Sequence, residues 1–326
     1  MKKNNEIVIV GCKDTTYELM NAIINFNYKI DLLITIDEKI AKKNKVAGYY
    51  KLNSFAEDNN IPVYNCHFYS LKSDKDVIKL SSINIKLLLV IGWQRLIPKW
   101  LLDHLEIGAF GMHGSSQPLP FGRGRSPLNW SLIQNKNIFV TNLFKYNDNV
   151  DAGQIADYQF FDINIFDNSQ TLHYKNTLSM IKIIKKNLPN MLCNNIDLLD
   201  QLDKNPTYYP KRTADDGIIF WDKDTQEIYN LIRAVTLPFP GAFSYIETEK
   251  VIIWKAFPFD TRLFNPYEFK PGEIIWKFLN GDFIVKTGTS SLIVVDYELS
   301  DNLEIQIGDL LHSANFMYKN PFEYPQ

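Results

Sequence analysis

Three cysteines in 326 residues, Cys12, Cys66 and Cys193, are too few and too far apart for a disulfide framework, and with no C-x-x-C pair they indicate no metal site. No apolar run approaches the roughly 18 to 20 residues that cross a bilayer, which removes the integral membrane classes. The apolar run near the start, bounded by Glu6 and Lys13, is too short for a secretion signal. The expectation is a soluble chain in a reducing cytoplasm, with no membrane partner. Charge of one sign is also lacking: the net charge is −2 and the pI about 6.2. That argues against a nucleic-acid partner held by bulk positive charge. Internal repeats and low-complexity tracts are missing as well. The first apolar run passes into VGCKDTTYE without the G-x-G-x-x-G loop that lets backbone approach a pyrophosphate, so NAD is a poor fit.

What is present reads as two domains. EIVIVG (6–11), KIDLLITI (29–36) and IKLLLVIGW (85–93) are β-branched-rich runs without alternation, the pattern of strands covered on both faces of a parallel sheet. Between the first two, Thr15 and Glu18 are spaced as a capping box ahead of Leu19, Met20, Ile23 and Ile24 at helical intervals. Ser126 before Pro127 reads as an N-cap and first helical residue, NIFVTNLFKY as a strand, and Leu172, Leu178, Ile181 and Ile184 as one face of a later helix. From about Asn205 the pattern turns to short strand-like runs, GIIFW, VIIWKAF, FIVKTG and SLIVVDYEL, broken by Pro, Gly and Asp. The expected fold is therefore α/β, a Rossmann-like, mostly parallel sheet over residues 1–204, followed by a smaller β-rich, OB-like domain over 205–326. The second part carries 11 Lys and Arg against 17 Asp and Glu, a net −6, which suits a phosphate backbone poorly. Its edge-like runs and the apolar segment ending in FEYPQ could support a homodimer.

His113 follows the apolar stretch GAFGM and precedes a loop of Gly, Ser and Pro. A parallel-sheet reading puts it at the carboxyl end of a strand, where open α/β sheets place their sites; a histidine satisfied by loop backbone is the plainer alternative. Asp151 in VDAG reads equally as a turn former. Arg123 and Arg125, beside the helix that starts at Pro127, form either an anion seat or a loop pinned to carbonyls. Trp130, Trp221 and Trp254 read as core.

Taken together, H-G-S, then P-x-x-x-G-R-G-R-S-P-L-N-W, then a strand, then V-D-A-G-Q-I, resembles the signature of the folate-dependent formyltransferases, most closely their sugar N-formyltransferase branch. GWQRLIP (92–98) is similar to the family's strand end that shapes the pterin pocket, and D-G-x-I-x-W with R-A-V-x-x-P-x-P-G-A resembles its entry into a smaller β domain. The resemblance implies transfer of a formyl group from N10-formyltetrahydrofolate, as co-substrate, to the amine of a nucleotide-linked deoxyamino sugar, in the building of surface polysaccharide or of a glycan on a surface protein. It implies His113 and Asp151 as the catalytic pair, close in space. It implies Gly92, Trp93, Gln94, Leu96, Ile97 and Val150 around the folate, and Ser115, Arg123 and Arg125 toward the sugar substrate. Alternatives from the same resemblance are a methionyl-tRNA formyltransferase and a formyltetrahydrofolate hydrolase. The family's Asn-x-His is here Gly111-Met112-His113. Its oxyanion-binding asparagine is then replaced by another donor, such as Asn142, Asn129 or a backbone N–H of Gly114 to Ser116, or the chain is a repurposed transferase, or it binds folate or nucleotide sugar without catalysis.

Overall fold

A computed structural model gives the structure of residues 4–202, 204–259, 268–300 and 303–313. The chain groups into two compact units, one of Met1–Gly124, Ile138–Phe161 and Tyr174–Tyr208, the other of Arg125–Asn137, Asp162–His173 and Tyr209–Gln326.

The first unit is built on a seven-stranded sheet. Its strands are β1 (Asn4–Val10), β2 (Leu32–Thr35), β3 (Val63–Asn65), β4 (Asn84–Val90), β5 (Leu105–Ser115), β6 (Ile138–Lys145) and β7 (Ile155–Asp162), in the order β3-β2-β1-β4-β5-β6-β7. The first five are parallel and β6 runs antiparallel to β5, so the expected α/β class is observed. Alternate residues of each parallel strand face opposite sides, and both sides are covered. Ile7, Ile9, Leu33, Leu87 and Leu89 pack with Leu19, Met20 and Ile23 of helix α1 (Asp14–Asn25) and with Met180, Ile183, Ile184, Leu188 and Met191. Val8, Val10, Ile34, Leu88 and Val90 fill the other side. Two covered faces explain why these runs show no polar alternation. Each such side chain contributes about 1.5–3 kcal/mol by leaving water.

Three local expectations change. The Thr15 capping box does not start α1; the helix begins at Asp14, and Thr16 Oγ1 accepts from the Lys13 N–H (3.1 Å) while donating to the Ile91 carbonyl (2.7 Å). An acceptor 75 residues away, invisible to a local motif, decides which threonine is used. Ser126 precedes helix α2 (Pro127–Ile133) with φ of 55°, a left-handed residue whose side chain makes no cap bond. In helix α3 (Ser169–Leu192), Leu172 and Ile184 are buried but Leu178 is 66% exposed, because Met180, Ile183, Leu188 and Met191 set the buried stripe.

The second unit holds α2 and an antiparallel sheet of β8 (Ala242–Ile246), β9 (Glu249–Pro258), β10 (Ile274–Lys277), β11 (Phe283–Lys286), β12 (Ser291–Leu299) and β13 (Leu311–His312), ordered β10-β11-β12-β9-β8-β13. The β-rich expectation holds here. GIIFW forms no strand: Ile218 makes an isolated bridge to Phe243 after a 3-10 turn at Ala214–Gly217. The amphipathic helix α4 (Thr225–Val235), unforeseen in the sequence, buries Ile228, Leu231 and Ile232. Trp130 and Trp221 are buried and Trp254 is half-buried. The FEYPQ segment lies outside the described residues. No described helix is long and apolar enough to cross a membrane.

One buried carboxylate braces the turn after β3. Asp76, fully buried, accepts from the Tyr64 hydroxyl (2.8 Å), the His67 N–H (2.8 Å), the Phe68 N–H (3.1 Å) and the Ser73 hydroxyl (2.7 Å). Burial alone would raise its pKa, but these bonds outweigh burial and hold it below the ordinary value. A depressed carboxylate stabilises the fold above its unfolded pKa and loses that contribution as pH falls. Asp76→Asn is therefore expected to cost about 1.5–3 kcal/mol at neutral pH, measured by denaturant unfolding, with the difference from wild type shrinking on acidification below the ordinary aspartate range.

Candidate active site

In the order β3-β2-β1-β4-β5 the chain reverses direction of growth between β1 and β4, and open α/β sheets place ligands outside the carboxyl ends of strands at such a switch point. The backbone is tightly drawn there. A Cβ on Gly11 would strike the Ile91 carbonyl, and Gly92 takes φ of +67° with Thr16 Oγ1 2.8 Å from where its Cβ would stand. Beyond Gly92 the segment is pinned from outside. The Cys12 thiol, its pKa raised by burial, donates to the Gly92 carbonyl (3.6 Å), and the Gln94 N–H donates to the Tyr69 hydroxyl (2.9 Å). Trp93 and Ile97 are buried, whereas Leu96 is 51% exposed, and beyond β6 so is Val150 at 42%. The Trp93 indole Nε1 is buried with no hydrogen-bond partner among the described residues.

His113 lies near the carboxyl end of β5, in register with Asn142 of β6. Its Nδ1 is 3.5 Å from Asp151 Oδ2, and its Nε2 is 2.8 Å from the Gly122 carbonyl. A carbonyl only accepts, so Nε2 carries a proton in this arrangement. Asp151 takes φ of +48°, and its Oδ2 accepts from the Gly124 N–H (3.1 Å) while Gln201 donates to its carbonyl (2.8 Å). Two residues on, a Cβ on Gly153 would collide with the Lys145 carbonyl, so the D-x-G spacing turns the chain back against β6 and presents the carboxylate to the imidazole. The structure thus brings His113 and Asp151 together, as expected.

Ser115 is buried, its Oγ accepting from the Gln117 N–H (3.4 Å). Arg123 reaches Gln201 Oε1 (2.5 Å) and the Tyr208 hydroxyl (3.3 Å), while its Nε is buried without a partner among the described residues. Arg125 is exposed. Asn142 Nδ2 donates to the His113 carbonyl (3.1 Å), and Asn129 Nδ2 to the Ala234 carbonyl (2.5 Å), so both side-chain amides already serve backbone acceptors. Gly114 and Ser115 stand in ladder register with Thr141 and Val140. Among the described residues no cluster of His, Cys, Asp or Glu gathers as a metal site.

Residues 211–315 match the family model described as "Formyl transferase, C-terminal domain". Over 252 residues, 77% of the chain, it is 31% identical to the bifunctional polymyxin resistance protein ArnA of Wigglesworthia glossinidia brevipalpis. The chain belongs to the formyltransferase family. It spans 38% of the length of that curated relative. In fold it is similar to an N-formyltransferase from Helicobacter canadensis solved with folinic acid and dTDP-3-aminofucose, at 18% identity, TM-score 0.64, and coverage of 90% of this chain and 100% of that one. It is also similar to WlaRD, a sugar 3N-formyl transferase solved in the presence of dTDP and 5-N-formyl-THF, at 20% identity, TM-score 0.62, and coverage of 91% and 98%.

Within this formyltransferase chain, sequence reasoning missed two kinds of contributor. Tyr69 holds the Gln94 backbone yet lies in no motif; its only signal is an aromatic in a polar connection. The two glycines of G-R-G-R matter through backbone: Gly122 offers its carbonyl to His113 and Gly124 its N–H to Asp151, both at positive φ. Gly153→Ala is expected to destabilise the protein by about 1–3 kcal/mol through overpacking on the Lys145 carbonyl, read as a lowered melting temperature. An unchanged melting temperature would mean that the turn carrying Asp151 is free to move.

Proposed function

We propose that the chain moves a formyl group from N10-formyltetrahydrofolate to the amine of a nucleotide-linked deoxyamino sugar. The observation that carries this reading is the His113–Asp151 pair at 3.5 Å, on a strand end adjoining the β1/β4 switch point of a formyltransferase-family fold. The folate fits the residues present: Leu96 and Val150 leave apolar surface for a pterin ring, and the orphaned Trp93 indole N–H is a donor in want of an acceptor. The structural relatives, solved with formyl-folates and with dTDP or a dTDP-amino sugar, support the same pair of substrates. We read residues 1–204 as the catalytic part, 205–326 as the β-rich companion, and the cytoplasm as the place of action.

In this account the attacking amine is neutral. Its nitrogen forms a bond to the formyl carbon, the carbonyl electron pair moves to oxygen, and one N–H proton must leave before the bond to N10 breaks and the carbonyl re-forms. His113 takes that proton and returns it to N10, while Asp151 orients the imidazole and stabilises its charged form. For this, Nε2 must give up both the Gly122 carbonyl and the proton it carries there, the neutral imidazole then holding its proton on Nδ1 toward Asp151, so residues 116–122 shift when substrate enters. Arg123 and Arg125 are proposed to meet the diphosphate. The tRNA alternative is weakened by the net −6 of residues 205–326.

The test is a mass-spectrometric assay with N10-formyltetrahydrofolate and a panel of dTDP-, UDP- and GDP-linked amino sugars. A product heavier by one formyl group, abolished in His113→Ala and lowered about 10²- to 10⁴-fold in kcat by Asp151→Asn, is expected. Formate release at an equal rate with and without amine would assign a hydrolase instead.

A further inference from the structure

Gly111 offers no side-chain donor for the oxyanion that develops as the amine attacks, and the structure fills the space beside it. A Cβ built on Gly111 would stand 2.5 Å from Tyr146 Cε2 and 2.9 Å from the Tyr146 hydroxyl, so the phenol occupies the volume that any larger side chain at 111 would claim. Residues 111 and 113 are two apart on β5 and point to the same face of the sheet. Ala109 packs on that face, whereas Phe110 and Met112 pack on the opposite one. The hydroxyl therefore lies beside position 111, on the face of β5 that carries the His113 imidazole, and positions 111 and 113 are about 7 Å apart along the strand.

Resting on the formyl-transfer reading above, we propose that the Tyr146 hydroxyl is the donor that stabilises this oxyanion. The side chain is held before substrate arrives: its N–H donates to the Ala109 carbonyl (2.8 Å), and its ring stacks on Phe144 at 4.9 Å and packs with the cluster that contains Val90, Trp93 and Ile97. A donor fixed in advance costs no reorganisation when charge develops. Among the described residues the hydroxyl has no hydrogen-bond partner, whereas one amide N–H of Asn142 and one of Asn129 already serve backbone carbonyls. Burial first, and the charge of Asp151 second, push the phenol above its ordinary pKa, so it keeps the proton it donates. In the step itself the C=O electron pair moves to oxygen as the N–C bond forms, Tyr146 shares its proton with that oxygen without transferring it, and the pair returns as the bond to N10 breaks.

Tyr146→Phe keeps the ring and its packing and removes the donor alone. The expected result is a fall in kcat of about 10²- to 10³-fold, with KM for both substrates within about threefold of wild type and an unchanged melting temperature. A second variant tests the geometry: Tyr146→Ala with Gly111→Asn opens the space and supplies an amide, and should turn over at least tenfold faster than Tyr146→Ala. A Tyr146→Phe enzyme within about threefold of wild-type kcat overturns the proposal and leaves the formyl-transfer reading standing. A wild-type protein that gives neither formylated amine nor formate overturns both.

Discussion

The collision that a side chain on Gly153 would make with the Lys145 carbonyl is the constraint on which the site depends. It forces the connection from β6 to fold back on its own strand, and that return, through a left-handed Asp151, points a carboxylate at the end of β5. The imidazole of His113 meets it because β5 and β6 are antiparallel neighbours in fixed register. A single slip of that register would turn every side chain of β5 to the opposite face, removing His113 and restoring nothing. Position here is a property of the sheet before it is a property of the loop.

The glycines around the pair carry a related burden. Gly122 and Gly124 both take positive φ, and between them they give one carbonyl to the imidazole and one N–H to the carboxylate. This satisfies both groups and closes Nε2 of His113 on the loop. Opening that nitrogen to a ligand breaks one hydrogen bond worth about 1 kcal/mol net. The segment after β4 is organised differently, by a buried thiol and a buried phenol that grip the backbone of Gly92 and Gln94 and leave Leu96 outside.

Much of the fold was legible because it depends on short-range pattern. Runs such as EIVIVG and IKLLLVIGW lack alternation because both faces are covered, and the two packed clusters on the sheet are the physical counterpart. The β-rich second unit was readable from its punctuation, though GIIFW, apolar enough to be a strand, is spent on a single bridge. His113 and Asp151 were legible only as members of an ordered set of motifs, since each alone has a common structural reading. Their 3.5 Å separation needed the sheet. What the sequence hid were long-range partners: Thr16 with Ile91, Tyr69 with Gln94, and the Tyr146 ring over Gly111, contacts whose ends lie 25 to 75 residues apart. No local periodicity encodes such pairs. In G-R-G-R the glycines hold the pair through their backbone, a role that side-chain chemistry does not announce.

The central claim is that one pocket at the strand ends of β4 and β5 presents a folate formyl group to His113. A crystal structure with folinic acid tests it most directly. The pteridine is expected against Leu96 and Val150, with the indole N–H of Trp93 newly satisfied directly or through water and the His113 imidazole facing the ligand after parting from the Gly122 carbonyl. Folinic acid bound elsewhere on the protein, with His113 still closed on Gly122 and the surface at Leu96 bare, would contradict it.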